Sequence, residues 1–450
     1  MKKYIFLLTP MLLFSYTIDF KNSLIKTVEM NKGLKAKKLE INKSKEDLKI
    51  ANGYDYGTLV FAENISQTNH AGYVFGMKMG TREAQMKDFG FTAIPAEDTV
   101  IGDNAPDALN RPDTRTNYET KVSYSIPIFT GFKLRSAKKM AQLQVLAQTA
   151  KYNFDEKSLG LEVLKAYNGA VAAKEFIKAA KKAKDATSSF VQFAHALYNE
   201  GLVTSIDVKQ AKVYDMGVDS SLIEAQNRYE LALSYLRFLT TEKNISDVGK
   251  FENIINNVTT IENSQQKAQE NREDFSWMKY NTQTMKTKID MEKSEYFPIV
   301  GAQIEYGYND DEFNNINSEH DYYMGAIGLS YNLFNGFINS AKKEKAKIEY
   351  QKTKHYYDYM SDAIKLEVEK NILTLESKQK ILNQKIKANN LSDEVLAQSQ
   401  ELYKNHLINM SNLLMQQANQ QKANAEMILA KYEKSLAAGK LKVSLGESLK

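Results

Sequence analysis

Cysteine is absent from all 450 residues, which excludes disulfides, thiolate metal ligands, a cysteine nucleophile and a lipid on an amino-terminal cysteine. Proline is scarce. The six prolines (Pro10, Pro95, Pro106, Pro112, Pro127, Pro298) leave 129–297 and 299–450 free of it, and such stretches suit long uninterrupted helices. Basic excess is small: the net charge of +5 is spread along the chain and leaves no nucleic-acid footprint. The five histidines (His70, His195, His320, His355, His406) stand singly, without His-x-x-x-His or acidic partners at ligand spacing, and no glycine loop could cradle a phosphate. The adjacent acids Asp310, Asp311 and Glu312 read as a solvated loop. We therefore expect no enzyme activity, no catalytic residues, no cofactor and no metal. Long apolar runs are missing too. Lys2 and Lys3 precede the mostly apolar Ile5–Phe14, which reads as a signal peptide over 1–15 and is too short for a hydrocarbon core needing about 20 residues. Any insertion into a membrane must then be made by strands.

What the chain does contain is a duplication. Phe129–Lys139, FTGFKLRSAKK, returns as Phe334–Lys343, FNGFINSAKK. Tyr198–Ala211, YNEGLVTSIDVKQA, returns as Tyr403–Gln416, YKNHLINMSNLLMQ. Both pairs share an offset of 205, while the SAKK portions are offset by 204, as if one residue had been gained or lost. Each FxGF segment ends an alternating stretch and opens a long one of helical period, so each marks a strand-to-helix junction.

In chain order, 19–50 reads as one helix ended by Gly53. Residues 71–79, AGYVFGMKM, alternate and predict a strand, and 80–117 a long loop. Tyr118, Val122, Tyr124, Ile126 and Ile128 share one face of a second strand, with Glu119, Lys121, Ser123 and Ser125 on the other. A helix over about 133–195 carries the coiled-coil seam Phe176, Ala179, Ala183, Ala186, Phe190, Phe193, Leu197. A turn near 199–205 leads to a return helix with its own seam, Val218 to Leu239. Residues 241–270 read as an irregular linker broken at Asn253, Asn256 and Asn257. A helix over 271–296 then precedes strands over 300–308 and 323–333, a helix over 338–401, a turn near 404–409 and a helix ending near Leu436. The domain reading is a first repeat at 16–240, a linker at 241–270, a second repeat at 271–437 and a tail at 438–450.

Strands that are apolar on one face and polar on the other, with tyrosines near their ends, fit an outer-membrane barrel as well as a half-buried soluble sheet. The signal peptide, and the lack of other apolar segments to cover the greasy face, favour the barrel. Four strands cannot close one, because about eight is the minimum and an open edge in lipid is prohibitive, so several chains must contribute. The expected fold class is mainly α with a membrane β-barrel: an internally duplicated protomer of four strands and long coiled-coil helices. The polar stretch Met415–Glu426 suits a helix lining water.

Over 19–436 these residues resemble the TolC family of outer-membrane efflux proteins, through both FxGF junctions, the paired tips and the duplicated order of elements. Gly201, Leu202, Val203, Thr204, Ser205, Ile206, Asp207, Val208 looks like the family's first periplasmic tip. The second tip departs from the pattern: His406 stands where glycine is usual, and Asn412 and Met415 stand where some members place aspartates. The resemblance implies a homotrimer with a 12-stranded barrel in outer-membrane lipid, and an α-helical tunnel across the periplasm. It further implies a periplasmic adaptor docking at Gly201, Leu202, Val203, Thr204, Ser205, Asp207, Tyr403, His406, Leu407 and Ile408, a constriction at Asn412 and Met415 closed with Leu413 and Leu414, and strand-to-helix junctions at Phe129, Gly131, Phe334 and Gly336. The expected function is a passive exit duct serving an inner-membrane transporter. The outer-membrane part of a type I protein secretion system is the alternative within transport, and a structural coiled-coil surface protein the alternative outside it.

Overall fold

The computed structural model describes residues 16–85, 88, 110–256, 260–315 and 318–449. The expected signal peptide and most of the expected 80–117 loop lie outside them. In order, the elements are β1 (Tyr16–Ile18), α1 (Phe20–Met30), α2 (Lys32–Gly53), β2 (Thr58–Thr68), α3 (Ala71–Gly80), β3 (Arg115–Thr130), α4 (Lys133–Asn199), α5 (Ser205–Thr240), β4 (Ile245–Val248), α6 (Ile261–Asn271), α7 (Glu273–Lys293), β5 (Ile299–Asp310), β6 (Asp321–Ser330), α8 (Ile338–Lys404) and α9 (Met410–Ser444). They fall into two compact units that cut across the repeats. One comprises Met1–Lys43, Val145–Asn281 and Lys354–Lys450; the other comprises Ser44–Gln144 and Thr282–Thr353.

The strand unit holds one antiparallel sheet in the order β2-β3-β5-β6. Its register sets whole rows on one face: Phe61 lies opposite Val122, Val122 opposite Tyr306, and Tyr306 opposite Tyr323. One residue along, Ala62, Lys121, Gly307 and Tyr322 form a row on the other face.

The structure corrects the sequence reading of the first strand. The alternating 71–79 stretch is the helix α3, and the strand is Thr58–Thr68. The hairpin partner explains this. Thr68 pairs with Arg115, the first residue of β3, so β3 offers no residue for 71–79 to pair with. That segment has Val74 as its single β-branched residue and satisfies its backbone internally as a helix.

Among the described residues the helical unit has three apolar cores. In the first, Ile18 of β1 and Ile245 of β4 pack with Leu164 and Tyr167 of α4 and with Leu233 and Leu236 of α5. The Tyr167 phenol donates to the Lys250 carbonyl at 3.1 Å, and burial pushes its pKa up to about 12. The second core lies at the hairpin tips. The third joins Ile364, Val368 and Ile372 of α8 to Phe275 and Leu441.

Side-chain bonds tie the long helices together. Lys184 of α4 reaches Asp215 of α5 at 2.9 Å. Asn168 of α4 donates to Ser435 of α9 at 2.6 Å. Lys378 and Lys385 of α8 reach Glu433 and Glu426 of α9, each at 2.7 Å. Tyr214 of α5 also donates to Gln421 of α9 at 3.4 Å, and Ser411 of α9 to Gln210 of α5 at 3.1 Å, so α5 touches both α4 and α9.

Several boundaries differ from expectation for local reasons. The amino-terminal helix breaks at Asn31, whose side chain accepts from the Leu34 amide at 3.0 Å and so caps α2. The supposed linker contains β4, parallel to β1, and all but the last residue of α6. Asn257 lies outside the described residues. The last helix runs on to Ser444, carried by the buried Ala437, Ala438 and Leu441. Finally, α4 and α8 each have 67 residues and keep the 205 offset at both ends, so no residue is gained or lost across them. The SAKK motifs simply sit one step apart around otherwise equal helices.

Candidate functional site

The two tips repeat one backbone device. At the end of α4, Gly201 is left-handed (φ +75°), its amide bonds to Tyr198 O at 3.0 Å and the Leu202 amide to Leu197 O at 2.9 Å. At the end of α8, His406 is left-handed (φ +62°), its amide bonds to Tyr403 O at 3.0 Å and the Leu407 amide to Leu402 O at 2.8 Å. Both are helix-ending turns of the kind that favours glycine. The second tip keeps the conformation without the glycine.

The returning helices are capped differently. Asp207 Oδ2 accepts from the Thr204 amide at 3.0 Å and from its hydroxyl at 2.8 Å, which also places a carboxylate in the first turn of α5. Asn409 accepts from the Asn412 amide at 2.9 Å.

Burial divides the candidate tip residues. Gly201, Leu202, Thr204, Ser205, His406 and Leu407 are exposed, whereas Val203, Asp207 and Ile408 are half-buried. Tyr403 is 4% exposed and meets Phe193 edge-on at 5.8 Å, so it holds the tip together and presents no docking surface. Burial and the nearby Asp207 charge hold its phenol above the ordinary range. Asn412 and Met415 are exposed on α9. Leu413 and Leu414 are not: at 1% and 8% exposure they belong to the tip core with Phe190, Leu197 and Val208, which corrects the expectation that they help close a constriction. Nearby, Gln417 is buried as well, so the stretch after Met415 is only partly a wet face.

In the strand unit, both junctions place two left-handed residues in succession: Gly131 and Phe132 (φ +60° and +70°), and Gly336 and Phe337 (φ +65° and +66°). The phenylalanines three apart meet edge-on, Phe129 with Phe132 at 5.2 Å and Phe334 with Phe337 at 5.5 Å. On the sheet, Leu59, Phe61, Ile304, Ile327 and Leu329 form an exposed apolar face. The opposite face carries a charged network that sequence reasoning missed, because it spans four strands. Tyr322 donates to Glu119 at 2.8 Å and Glu305 at 2.9 Å, Asn64 donates to Glu119 at 2.7 Å, and Lys121 lies 3.2 Å from Glu119 and 3.6 Å from Glu305. Such a sheet is greasy outward and hydrated inward.

Comparison with known proteins agrees with this geometry. The model of the family described as outer membrane efflux protein matches residues 102–242 and 265–447. No curated protein is similar in sequence. Among solved structures, CusC is 13% identical with a TM-score of 0.79, covering 96% of this chain and 94% of its own. The Campylobacter jejuni CmeC outer membrane channel is 12% identical with a TM-score of 0.78, covering 95% and 85%. The open state of the Neisseria gonorrhoeae MtrE outer membrane channel is 16% identical with a TM-score of 0.77, covering 96% and 89%. At such identities the likeness concerns the fold.

Proposed function

The chain belongs to the outer membrane efflux protein family, an outer-membrane channel that extends into the periplasm, and from that premise we propose that it works as a homotrimer, the passive exit duct of a tripartite pump. Solute is handed over by an inner-membrane transporter through a periplasmic adaptor, and the energy comes from that transporter. The observation that carries the reading is the open sheet. Its apolar face is exposed, its inner face is charged, and among the described residues β2 and β6 each have an unpaired edge. Unpaired backbone in hydrocarbon costs several kcal/mol for each group, so the edges must meet those of other copies. Three copies supply twelve strands, enough to close a barrel around water.

Within this reading the exposed tip residues Gly201, Leu202, His406 and Leu407 meet the adaptor. The constriction is formed by Asn412 and Met415, whose exposed side chains carry no charge. Purified protein, weighed in detergent and then placed in a planar bilayer, tests the proposal. A trimer with stepwise conductance is expected, and a folded monomer that conducts nothing would overturn it.

A further inference from the structure

The turn at each strand-to-helix junction is made by its FxGF half; the SAKK half that follows, Ser136–Lys139 in α4 and Ser340–Lys343 in α8, brings cations. Residues 133–139 of α4 hold Lys133, Arg135, Lys138 and Lys139 and no acid, and residues 338–345 of α8 hold Lys342, Lys343 and Lys345 against Glu344 alone. Cations are the wrong charge for a helix start, where the dipole favours anions, and α5, α6 and α7 begin with Asp207, Glu262 and Glu273. The basic runs of α4 and α8 are therefore not there for the sake of the helices.

The protomer leaves about half of these charges unused. Lys133 lies 2.9 Å from Glu295, Lys138 pairs with Asp55, and Lys343 stands over the Tyr296 ring at 5.0 Å. Arg135, Lys139, Lys342 and Lys345 are exposed and form no ion pair among the described residues. Acids beside them are engaged elsewhere: Glu295 by Lys133, Glu344 by Lys347 at 2.8 Å and Glu349 by Lys352 at 3.0 Å. Arg135 and Lys139 are four apart and Lys342 and Lys345 three apart, so each pair shares one helix face. Between these cations and the sheet stand Phe132, Phe297, Phe334 and Phe337, from 44% to 76% exposed. The rings continue the greasy face. Val300, which shares that face with Ile304, lies opposite Phe129, and Phe132 meets Phe129 at 5.2 Å and Phe297 at 5.6 Å. Apolar strand, aromatic ring and cation thus follow one another within about 10 Å of each helix start. That is the order in which a bilayer passes from hydrocarbon to headgroup, where rings settle and long basic side chains reach outward.

We infer that each junction is a clamp for an anionic phospholipid of the periplasmic leaflet, whose phosphate is held by Arg135 with Lys139 at the first junction and by Lys342 with Lys345 at the second. The rings hold the lipid's upper chains, which a free phosphate lacks. The duplication gives every protomer two such clamps. This rests on the membrane-spanning sheet proposed above and assigns the lipid that its periplasmic end selects.

Native mass spectrometry of the delipidated, detergent-solubilised protein, mixed with phosphatidylglycerol or with phosphatidylcholine of the same chain length, tests the clamp. Phosphatidylglycerol should be retained and phosphatidylcholine much less. Arg135→Gln, Lys139→Gln, Lys342→Gln and Lys345→Gln together should weaken phosphatidylglycerol binding by about 25-fold at each junction, at about fivefold for each cation removed. Four exposed lysines of the helical unit, changed instead as Lys181→Gln, Lys182→Gln, Lys209→Gln and Lys212→Gln, should leave it unaltered. If the first variant does not fold, Arg135→Gln with Lys139→Gln, which spares the second junction, should halve the number of lipids retained. Equal retention of the two lipids, equal loss from both four-site variants, or displacement of phosphatidylglycerol by millimolar inorganic phosphate would overturn the clamp. The same spectrum weighs the particle, so a monomer that keeps its lipid would overturn the trimer alone, and a trimer without lipid the clamp alone.

Discussion

The two junction glycines offer one substitution in two settings. Gly131 and Gly336 occupy equivalent places and nearly equal left-handed conformations, φ +60° and +65°. Backbone strain on replacement by alanine should therefore be alike, about 1–2 kcal/mol at each. Their surroundings differ. A Cβ on Gly131 would lie 2.4 Å from Ser294 O, 2.9 Å from Phe297 Cβ and 3.2 Å from Ser294 C, whereas a Cβ on Gly336 meets nothing within 4 Å. The crowding atoms at Gly131 are mostly backbone and cannot swing aside, so the turn before β5 must shift, adding overpacking strain of about 1–3 kcal/mol. Gly131→Ala should thus lose about 2–5 kcal/mol and Gly336→Ala about 1–2 kcal/mol. Urea unfolding of the detergent-solubilised protein, followed by the loss of strand signal, reads the difference as a shift in midpoint at constant slope. Equal losses, or a larger loss at Gly336, would refute the reasoning and show that steric room in the protomer does not decide the matter.

Three further outcomes are expected. Ile304→Arg, on the lipid-facing row, should destabilise by roughly 2–4 kcal/mol, and Gln303→Arg on the inner face by clearly less; equal tolerance in a folding assay would contradict the assignment of faces. Single-channel current should be insensitive to trivalent cations on the periplasmic side, and Asn412→Asp with Met415→Asp should create a block; strong block of the unaltered channel would place other carboxylates at the entrance, Asp207 first among them. Asp215 is pushed up by burial, but hydrogen bonds from Thr187 and Lys184, and the Lys184 charge, hold its carboxyl below the ordinary range. A lowered pKa means stability that is present above the unfolded value and lost as pH falls through the folded one, so the α4–α5 hairpin should weaken below about pH 4. Asp215→Asn should remove that part of the acid sensitivity in a melting series, and an unchanged profile would show that the contact is not responsible.

Much of this architecture was legible because it rests on period. The 3.6-residue seams of α4, α5 and α8 and the alternation of β3, β5 and β6 mark each element by the face it buries. Residues 71–79 misled because Tyr73, Phe75, Met77 and Met79 alternate with Gly72, Val74, Gly76 and Lys78 as in a strand, and only the extent of β3 shows that this period is not used in the sheet. The pair β1 and β4, three and four residues long, is too short to show any period and joins segments far apart in sequence. At the tips the motif located the turns but not the burial of each side chain. Tyr403, Leu413 and Leu414 look like their exposed neighbours in sequence, and their place in a core formed by four helix ends appears only in three dimensions.

The equal 67-residue lengths of α4 and α8 limit how such a chain can change. Adding one residue within either helix would turn everything beyond it by about 100° and advance it by about 1.5 Å, carrying a buried seam into water and an exposed stripe into the core. Insertions confined to one helix are therefore disruptive, and the tolerated length changes are those made together in all four long helices in steps of about seven residues, which restore each face. By this rule the hairpins can grow or shrink only by whole heptads, and reach is quantised at about 10 Å per step.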